Sequence, residues 1–408
     1  MDSHRQRYSL SFFLAMLASL GFFAAFHTPS PIFPLFAVED IGTDEAGWGA
    51  ANALVAWFAM AFRLPAGALA DRIGRRRVMF IGGGLAVLAW GMLYGVDSFV
   101  GLLIQRALTG VMIACYTTSY KALIVDLAPP NRRGEAIGLG GLTFSAALIG
   151  ASPLGEAIAA AFGYRATFLV STVFAALAVL LLLPIREPVS SAHRDPVLKG
   201  IADVLRCREA RVGVGGMLGL SAMFVGVFTY LPLWADSRGI TYGVGMAFSA
   251  FALADLVAQP IAGWLSDRVS RHWVMGFGML MTAGGMTLIY LPAGPQPFCM
   301  YAGAILIAAG MALTRVNLDM LAQTFVAHRL RGTATAIEYA FYDVWNGIWG
   351  WVMGVLVLRA GYSSIYITGA VVGLVCAVML WLLAPRHAAI LPRSAPSPVP
   401  GPTSGASR

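Results

Sequence analysis

Charge is what this sequence has least of. Aspartate, glutamate, lysine and arginine make up 12% of its 408 residues, about half of the roughly 25% usual in a water-soluble domain. That leaves too little ionic surface to clothe a soluble fold of this length. Cysteine is also scarce: the four residues, at 115, 207, 299 and 376, show no metal-ligand spacing and no disulfide framework. No glycine-rich loop with its lysine offers to hold nucleotide phosphates, so ATP is excluded as a direct energy source within this chain. No His-Glu-x-x-His, Ser-Lys or paired-aspartate arrangement stands out either. The expectation is a protein that is not an enzyme and needs no cofactor and no metal.

What fills the chain is hydrocarbon: 58% of the residues are apolar and the mean hydropathy is +0.73. A helix crossing a bilayer needs about 20 apolar residues. Such stretches lie near 10–36, 47–70, 78–96, 99–124, 136–161, 166–185, 211–235, 243–265, 274–292, 298–326, 333–358 and 362–384. The first follows Arg5 and Arg7 like a signal peptide. It is too long, lacks a small-residue cleavage site and contains Pro29, Pro31 and Pro34, so it reads as a retained span.

The few charges are sorted by side. With both termini in the cytoplasm, cytoplasmic segments hold 21 of the 28 lysines and arginines, and external segments hold three, Arg165, Arg238 and Arg359. The first external loop carries Glu39, Asp40, Asp44 and Glu45 without one base. Shifting the count by one span would destroy this asymmetry, so the positive-inside rule supports both the number and the orientation. The net charge of +8 is then a matter of topology, and no nucleic-acid partner is implied.

An internal repeat organises the spans. GALADRIGRRRVM at 67–79 recurs as GWLSDRVSRHWVM at 263–275, IFPLFA at 32–37 answers YLPLWA at 230–235, and Arg133 with Gly134 answers Arg331 with Gly332. The expected architecture is all-α and membrane-embedded, twelve transmembrane helices in two pseudo-symmetric six-helix bundles. Its parts are an N-terminal bundle over 1–185, a cytoplasmic linker over 186–210, a C-terminal bundle over 211–385, and a disordered cytoplasmic tail over 386–408. Parallel six-span repeats that share a site near the bilayer midplane are the plan of a rocking secondary transporter.

Three segments carry a family resemblance. The run from Gly67 through Asp71, Arg72, Gly74, Arg75 and Arg76, between spans 2 and 3, resembles motif A of the major facilitator superfamily, with a degenerate copy between spans 8 and 9. Arg106 to Gly110 on span 4 resembles its motif B, and Pro130 to Gly134 its loop between spans 4 and 5. Gly150 to Glu156 resembles the antiporter motif C only loosely, without its paired glycines. The resemblance implies a bacterial inner-membrane transporter of small molecules, working as a monomer by alternating access.

On that footing Asp71 is expected to act as a conformational latch. At the cytoplasmic surface its carboxylate would dock on the start of span 11, where free N–H groups and the helix dipole leave about half a positive charge. Gly67, Arg72, Gly74 and Arg75 belong to the same device, with Asp126 as an acid for Arg72 or Arg75, and Asp267 with Arg268 as the repeat copy facing the start of span 5. The alternative is that these charges are topological anchors, the reading preferred for Arg76 and Arg77.

Ionisable groups inside spans are the second signal, since each costs roughly 2.5–3.5 kcal/mol at the bilayer centre. The candidates for a substrate or proton pathway are His27, Arg106, Asp255, Arg315, Asp319, Glu338 and Asp343. Arg63 and Lys121 are close enough to the cytoplasmic face to snorkel, Glu156 reads as a gate or a helix contact, and His27 as a pathway group or a packing histidine. Spans 3, 6, 9 and 12 carry no such group, and the resemblance makes those four outermost. Spans 10 and 11 are expected to run antiparallel with the coupling site between them, Arg315 pairing with Asp343 or Asp319 and leaving carboxylates without an assured partner.

The leading expectation is proton-coupled efflux of amphipathic organic compounds. The alternative is proton-coupled import of a small anionic or zwitterionic metabolite. A receptor or scaffold without flux is the remote one, since a scaffold has no use for a latch.

Overall fold

The computed structural model describes residues 8–129, 132–187, 203–290, 297–324, 326 and 331–384. Arg5, Arg7, Asn131, Arg329, most of the expected linker and the whole of the expected tail lie outside them.

Among the described residues, twelve long helices and two seven-residue ones run in the order α1 Leu10–His27, α2 Phe33–Glu39, α3 Glu45–Ile73, α4 Arg75–Met92, α5 Phe99–Leu127, α6 Arg133–Phe162, α7 Tyr164–Leu182, α8 Arg208–Phe228, α9 Leu231–Ser237, α10 Val244–Ser266, α11 Arg271–Tyr290, α12 Pro297–Thr324, α13 Arg331–Ala360 and α14 Ser363–Leu383. The chain is an all-α membrane protein of two six-helix bundles. Ten of the helices are long and apolar enough by themselves to cross a membrane. The other two, α4 and α13, carry Arg75 to Arg77 and Glu338 with Asp343 respectively, and pack lengthwise among the ten.

Two expected spans are broken. The stretch 10–36 is α1 followed by the short α2, and 211–235 is α8 followed by the short α9. The cause is the repeated proline: Pro34 and Pro232 each stand in the first turn of a new short helix, where a missing N–H costs nothing, and they cannot continue the old one.

Helix starts follow local chemistry. Ser9, Asp44 and Ser98 cap α1, α3 and α5, each accepting a backbone N–H three residues on. Gly74 and Gly163, at φ +101° and +83°, make the direct turns from α3 to α4 and from α6 to α7. Inside lipid the hydrophobic effect does not bring helices together, and small residues that allow close packing do. The repeat illustrates this. A Cβ on Gly82 would sit 2.8 Å from the Tyr116 nitrogen of α5, and one on the equivalent Gly278 would sit 2.7 Å from the Gly310 oxygen of α12.

Exposed apolar stripes mark the lipid face. Leu169, Val173, Leu177 and Leu180 line α7, and Ile367, Val371, Leu374 and Val378 line α14, spaced three or four residues apart.

The end of the molecule that bears Arg72 to Arg77 is called the basic end, and the end that bears Glu39 to Glu45 the acidic end. At the acidic end the halves touch along two seams, α3 against α13 and α6 against α10. Across the seams Trp48 donates to the Thr229 carbonyl, Asn52 to the Thr229 hydroxyl and Tyr362 to Glu45, while Tyr230 donates to the Gly350 carbonyl within the second half. Toward the basic end the seams part. On α6, residues 137, 138, 141, 142, 144 and 146 are exposed, more than half the helix circumference at 3.6 residues per turn, against 154, 157 and 160–162 near the acidic end.

Candidate functional site

Midway along the α3 and α13 seam, the Arg63 Nε lies 2.7 Å from the Asp343 Oδ2 and joins the two halves. Arg63 stands about ten residues, roughly 15 Å of helix, from the Ile73 end of α3. One helical turn before Asp343, on the same face of α13, is Tyr339. Its ring collects three cations from three other helices: the Lys121 Nζ at 3.9 Å, and the Arg315 and Arg63 guanidinium carbons at 5.5 and 5.8 Å from the ring centroid. Arg315 also donates to the Tyr339 hydroxyl at 2.9 Å. A tyrosine face stabilises a cation by about 0.5–2 kcal/mol, more as water is withdrawn, so the ring is a shared counter-surface for like charges that would otherwise repel.

Behind this cluster, Asp319 on α12 and Glu338 on α13 are neighbours. Glu338 is fully buried, and neither of its oxygens nor the Asp319 Oδ1 has a hydrogen-bond partner among the described residues. Asp319 stands one turn along α12 from Arg315, whose guanidinium serves it and Tyr339 together. Asp255 on α10 accepts from Gln259 at 2.8 Å and lies within electrostatic reach of Arg315. Asp255, Arg315, Asp319, Glu338 and Asp343 thus gather with Arg63 and Lys121 around Tyr339.

The pairing differs from expectation in one respect. Arg315 does not take Asp343, because Asp343 faces α3 and Arg63, and Arg315 faces Tyr339 and Asp319. Counting residues from the α12–α13 turn gives depth, and the azimuth of each side chain decides the partner.

His27 and Arg106 stand apart from the cluster. His27 is buried at the end of α1 with the Phe26 and Phe144 rings edge-on, and neither ring nitrogen has a partner among the described residues. Arg106 is buried between the Phe33 ring at 3.6 Å and the Trp48 ring at 4.7 Å, with no carboxylate on it among the described residues.

At the basic end, Arg75 forms an ion pair with Asp126 and donates to the Ala122 carbonyl at 3.0 Å, both on α5. The α4 start rests on a residue that the motif alone does not reveal. Glu187, just beyond α7, accepts from the Arg75 and Arg76 backbone nitrogens at 2.6 and 3.1 Å and fills the space over Gly74. Gly67 packs loosely, with Thr118 of α5 as its near neighbour. Asp71 and Arg72 are exposed. In the repeat copy Asp267 is exposed, and Arg268 folds over the Trp264 ring at 4.0 Å. Among the described residues neither aspartate bonds to the opposite half, in keeping with the parted basic end. The halves thus meet along both seams at the acidic end and expose the inner face of α6 toward the basic end.

Comparison with known proteins agrees. The sequence model of the Major Facilitator Superfamily matches residues 11–244 and 241–405. A "Probable sugar efflux transporter" of Mannheimia succiniciproducens is 26% identical over 382 residues, covering 88% of this chain and 91% of that protein. The "Multidrug resistance protein MdtG" of Serratia proteamaculans is 26% identical over 400 residues, covering 90% and 92%. Among solved structures, a D-xylose-proton symporter superposes with a TM-score of 0.74 at 20% identity, covering 93% of this chain and 99% of that one, and so shares the fold. The chain belongs to the Major Facilitator Superfamily: it is a multi-pass membrane transporter of small molecules and not an enzyme.

Proposed function

We propose that the protein exports small amphipathic organic molecules in exchange for protons, with its basic end and both termini in the cytoplasm. The carboxyl pair Asp319 and Glu338 carries this reading. Two neighbouring carboxyls, within electrostatic reach of one arginine that also donates to a tyrosine, offer a place where a proton can be taken up and handed on. They sit beside cations from both halves, so gain or loss of that proton changes the balance of a cluster that spans the seam. The aromatic lining of Tyr339, Tyr342 and Phe224 suits an amphipathic cargo. The relatives named for sugar efflux and multidrug resistance support the export direction. The positive-inside asymmetry supports the orientation and makes the conformer described above inward-facing. The latch role of Asp71 belongs to the same reading: it docks on α13 when the basic end closes.

A gene deletion screened against amphipathic inhibitors identifies the cargo as the compound whose tolerance falls. With that compound, proteoliposomes report cargo-induced proton movement for Asp319→Asn, Glu338→Gln and Asp343→Asn, each checked for folding. The expected outcome is loss of coupling in at least one of the first two. Wild-type coupling in all three would place the proton site elsewhere, at His27 or Asp255.

One observation favours a second reading. Lys121 is exposed and faces Tyr339 with no carboxylate paired to it among the described residues, which suits the negative group of an anionic or zwitterionic metabolite taken up with protons. Loss of growth on a single nutrient, with unchanged inhibitor tolerance, would select it.

A further inference from the structure

The acidic end contains a cap that belongs to the wrong half. Helix α3, the first to start at that end, caps itself: Asp44 accepts from the Gly47 nitrogen at 2.6 Å. Its counterpart in the second half, α10, has Gly243 at the cap position, at φ +109°, with no side chain to offer. The cap comes instead from α6. The Glu156 carboxylate is 6% exposed and accepts from three successive backbone nitrogens, Gly243 at 2.8 Å, Val244 at 2.9 Å and Gly245 at 3.0 Å.

Three of the four N–H groups that a helix start leaves unsatisfied are therefore met by one carboxylate from the other half, with the charge at the favourable end of the helix dipole. The approach is built for contact. A Cβ on Gly245 would lie 2.7 Å from the Ser152 carbonyl oxygen, and one turn further along α10 Ser249 donates to the Ile149 carbonyl at 2.6 Å. When the acidic end opens, α6 and α10 separate, and Glu156 and the three N–H groups lose each other together.

We propose that Glu156 is an inter-half latch at the acidic end, a cap that α10 possesses only while that end is shut, and that its release sets how often the end opens. The proposal rests on alternating access as read above. It gives the second seam a role complementary to that of Asp71: one carboxylate holds a helix start at each end, and each is engaged in the conformer that frees the other.

The test needs no substrate. Spin labels at Ala161 and Thr241, exposed positions on the two sides of the seam, are placed in a chain whose four native cysteines are replaced. Pulsed dipolar spectroscopy in nanodiscs then reads the shut and open distances at the acidic end. Glu156→Ala is expected to lower the shut-to-open ratio by about tenfold or more, an amount within reach of one lost charge-assisted hydrogen bond. Glu156→Gln, which keeps the length and one acceptor, falls between it and the wild type. Asp44→Ala, which removes a cap within one half, leaves the ratio unchanged and controls for simple loss of helix stability. An unchanged ratio in Glu156→Ala, or an equal shift in Asp44→Ala, overturns the latch. A single distance in every variant overturns the latch and also counts against alternating access, whereas two distances indifferent to Glu156 count against the latch alone.

Discussion

The two copies of the repeated loop at the basic end share a sequence pattern and differ in how they are held. In the first, Glu187 caps the start of α4, Arg76 donates to the Leu182 and Leu183 carbonyls at 2.9 and 2.7 Å, and Arg75 pairs with Asp126. The loop is tied to α5 and to the end of α7 and cannot shift by itself. In the second, Ser270 stands where Gly74 would be, the two positions after Arg271 are His272 and Trp273, and Arg268 lies along its own helix against Trp264, donating to the Trp264 carbonyl at 3.2 Å. One copy braces an aspartate against its bundle. The other leaves its aspartate, Asp267, at the tip of a helix. On the proposed reading a latch needs a fixed strike point as well as a charge, and the bracing around Asp71 favours the first copy.

Substitutions can break this comparison. The largest effect is expected for Asp71→Asn, which keeps the shape and removes the charge: most turnover is lost at equal protein level, and Asp267→Asn loses less. Transport assays on the cargo from the deletion screen check this, and equal losses would make the two copies equivalent. Next comes Asp126→Ala, which frees Arg75 while leaving Asp71 in place. Turnover should fall less than in Asp71→Asn, and adding Asp71→Asn to it should cost little more, because both act through one device. The smallest effect belongs to Glu187→Gln. Weakening a two-bond cap costs about 1 kcal/mol, which lowers the apparent melting midpoint by roughly 2–4 °C for a bundle of this size. A larger drop would mean that Glu187 holds the whole first bundle together.

Much of this architecture is legible in the sequence because lipid imposes one-dimensional rules. Span length, the siting of Arg72 to Arg77 and the registered repeat each follow from counting along the chain. The polar residues of the cluster are legible as well, since an ionisable group among apolar neighbours is costly wherever it points. What counting cannot give is rotation about a helix axis or contact between distant segments. Arg63 was close enough to one face to snorkel, and the structure turns it inward onto Asp343. Glu187 and the Arg75 nitrogen it caps are 112 residues apart, Tyr230 and Gly350 are 120, and Ser19 and Tyr116 are 97. Tyr339 is one tyrosine in an aromatic-rich span that reads as interface anchoring or packing until three cations are seen to share its face.

The glycines of the α3 and α13 seam have one further consequence. A side-chain carbon on Gly49 would collide with the Gly350 carbonyl, one on Gly347 with the Trp57 ring, and one on Gly354 would lie 2.8 Å from the Glu45 carbonyl oxygen and the Tyr230 hydroxyl. The Gly350 and Glu45 carbonyls and the Trp57 ring each lie across the seam from the glycine they face, and the Tyr230 hydroxyl lies in the same half as Gly354. Under the proposed alternating access, a single methyl group on Gly49 or Gly347 is a doorstop: the obstacle it meets on the other half stands in the way only when the acidic end is shut. On that reading a substitution at Gly49 or Gly347 changes how often the acidic end shuts, and a survey of folding stability would pass it over.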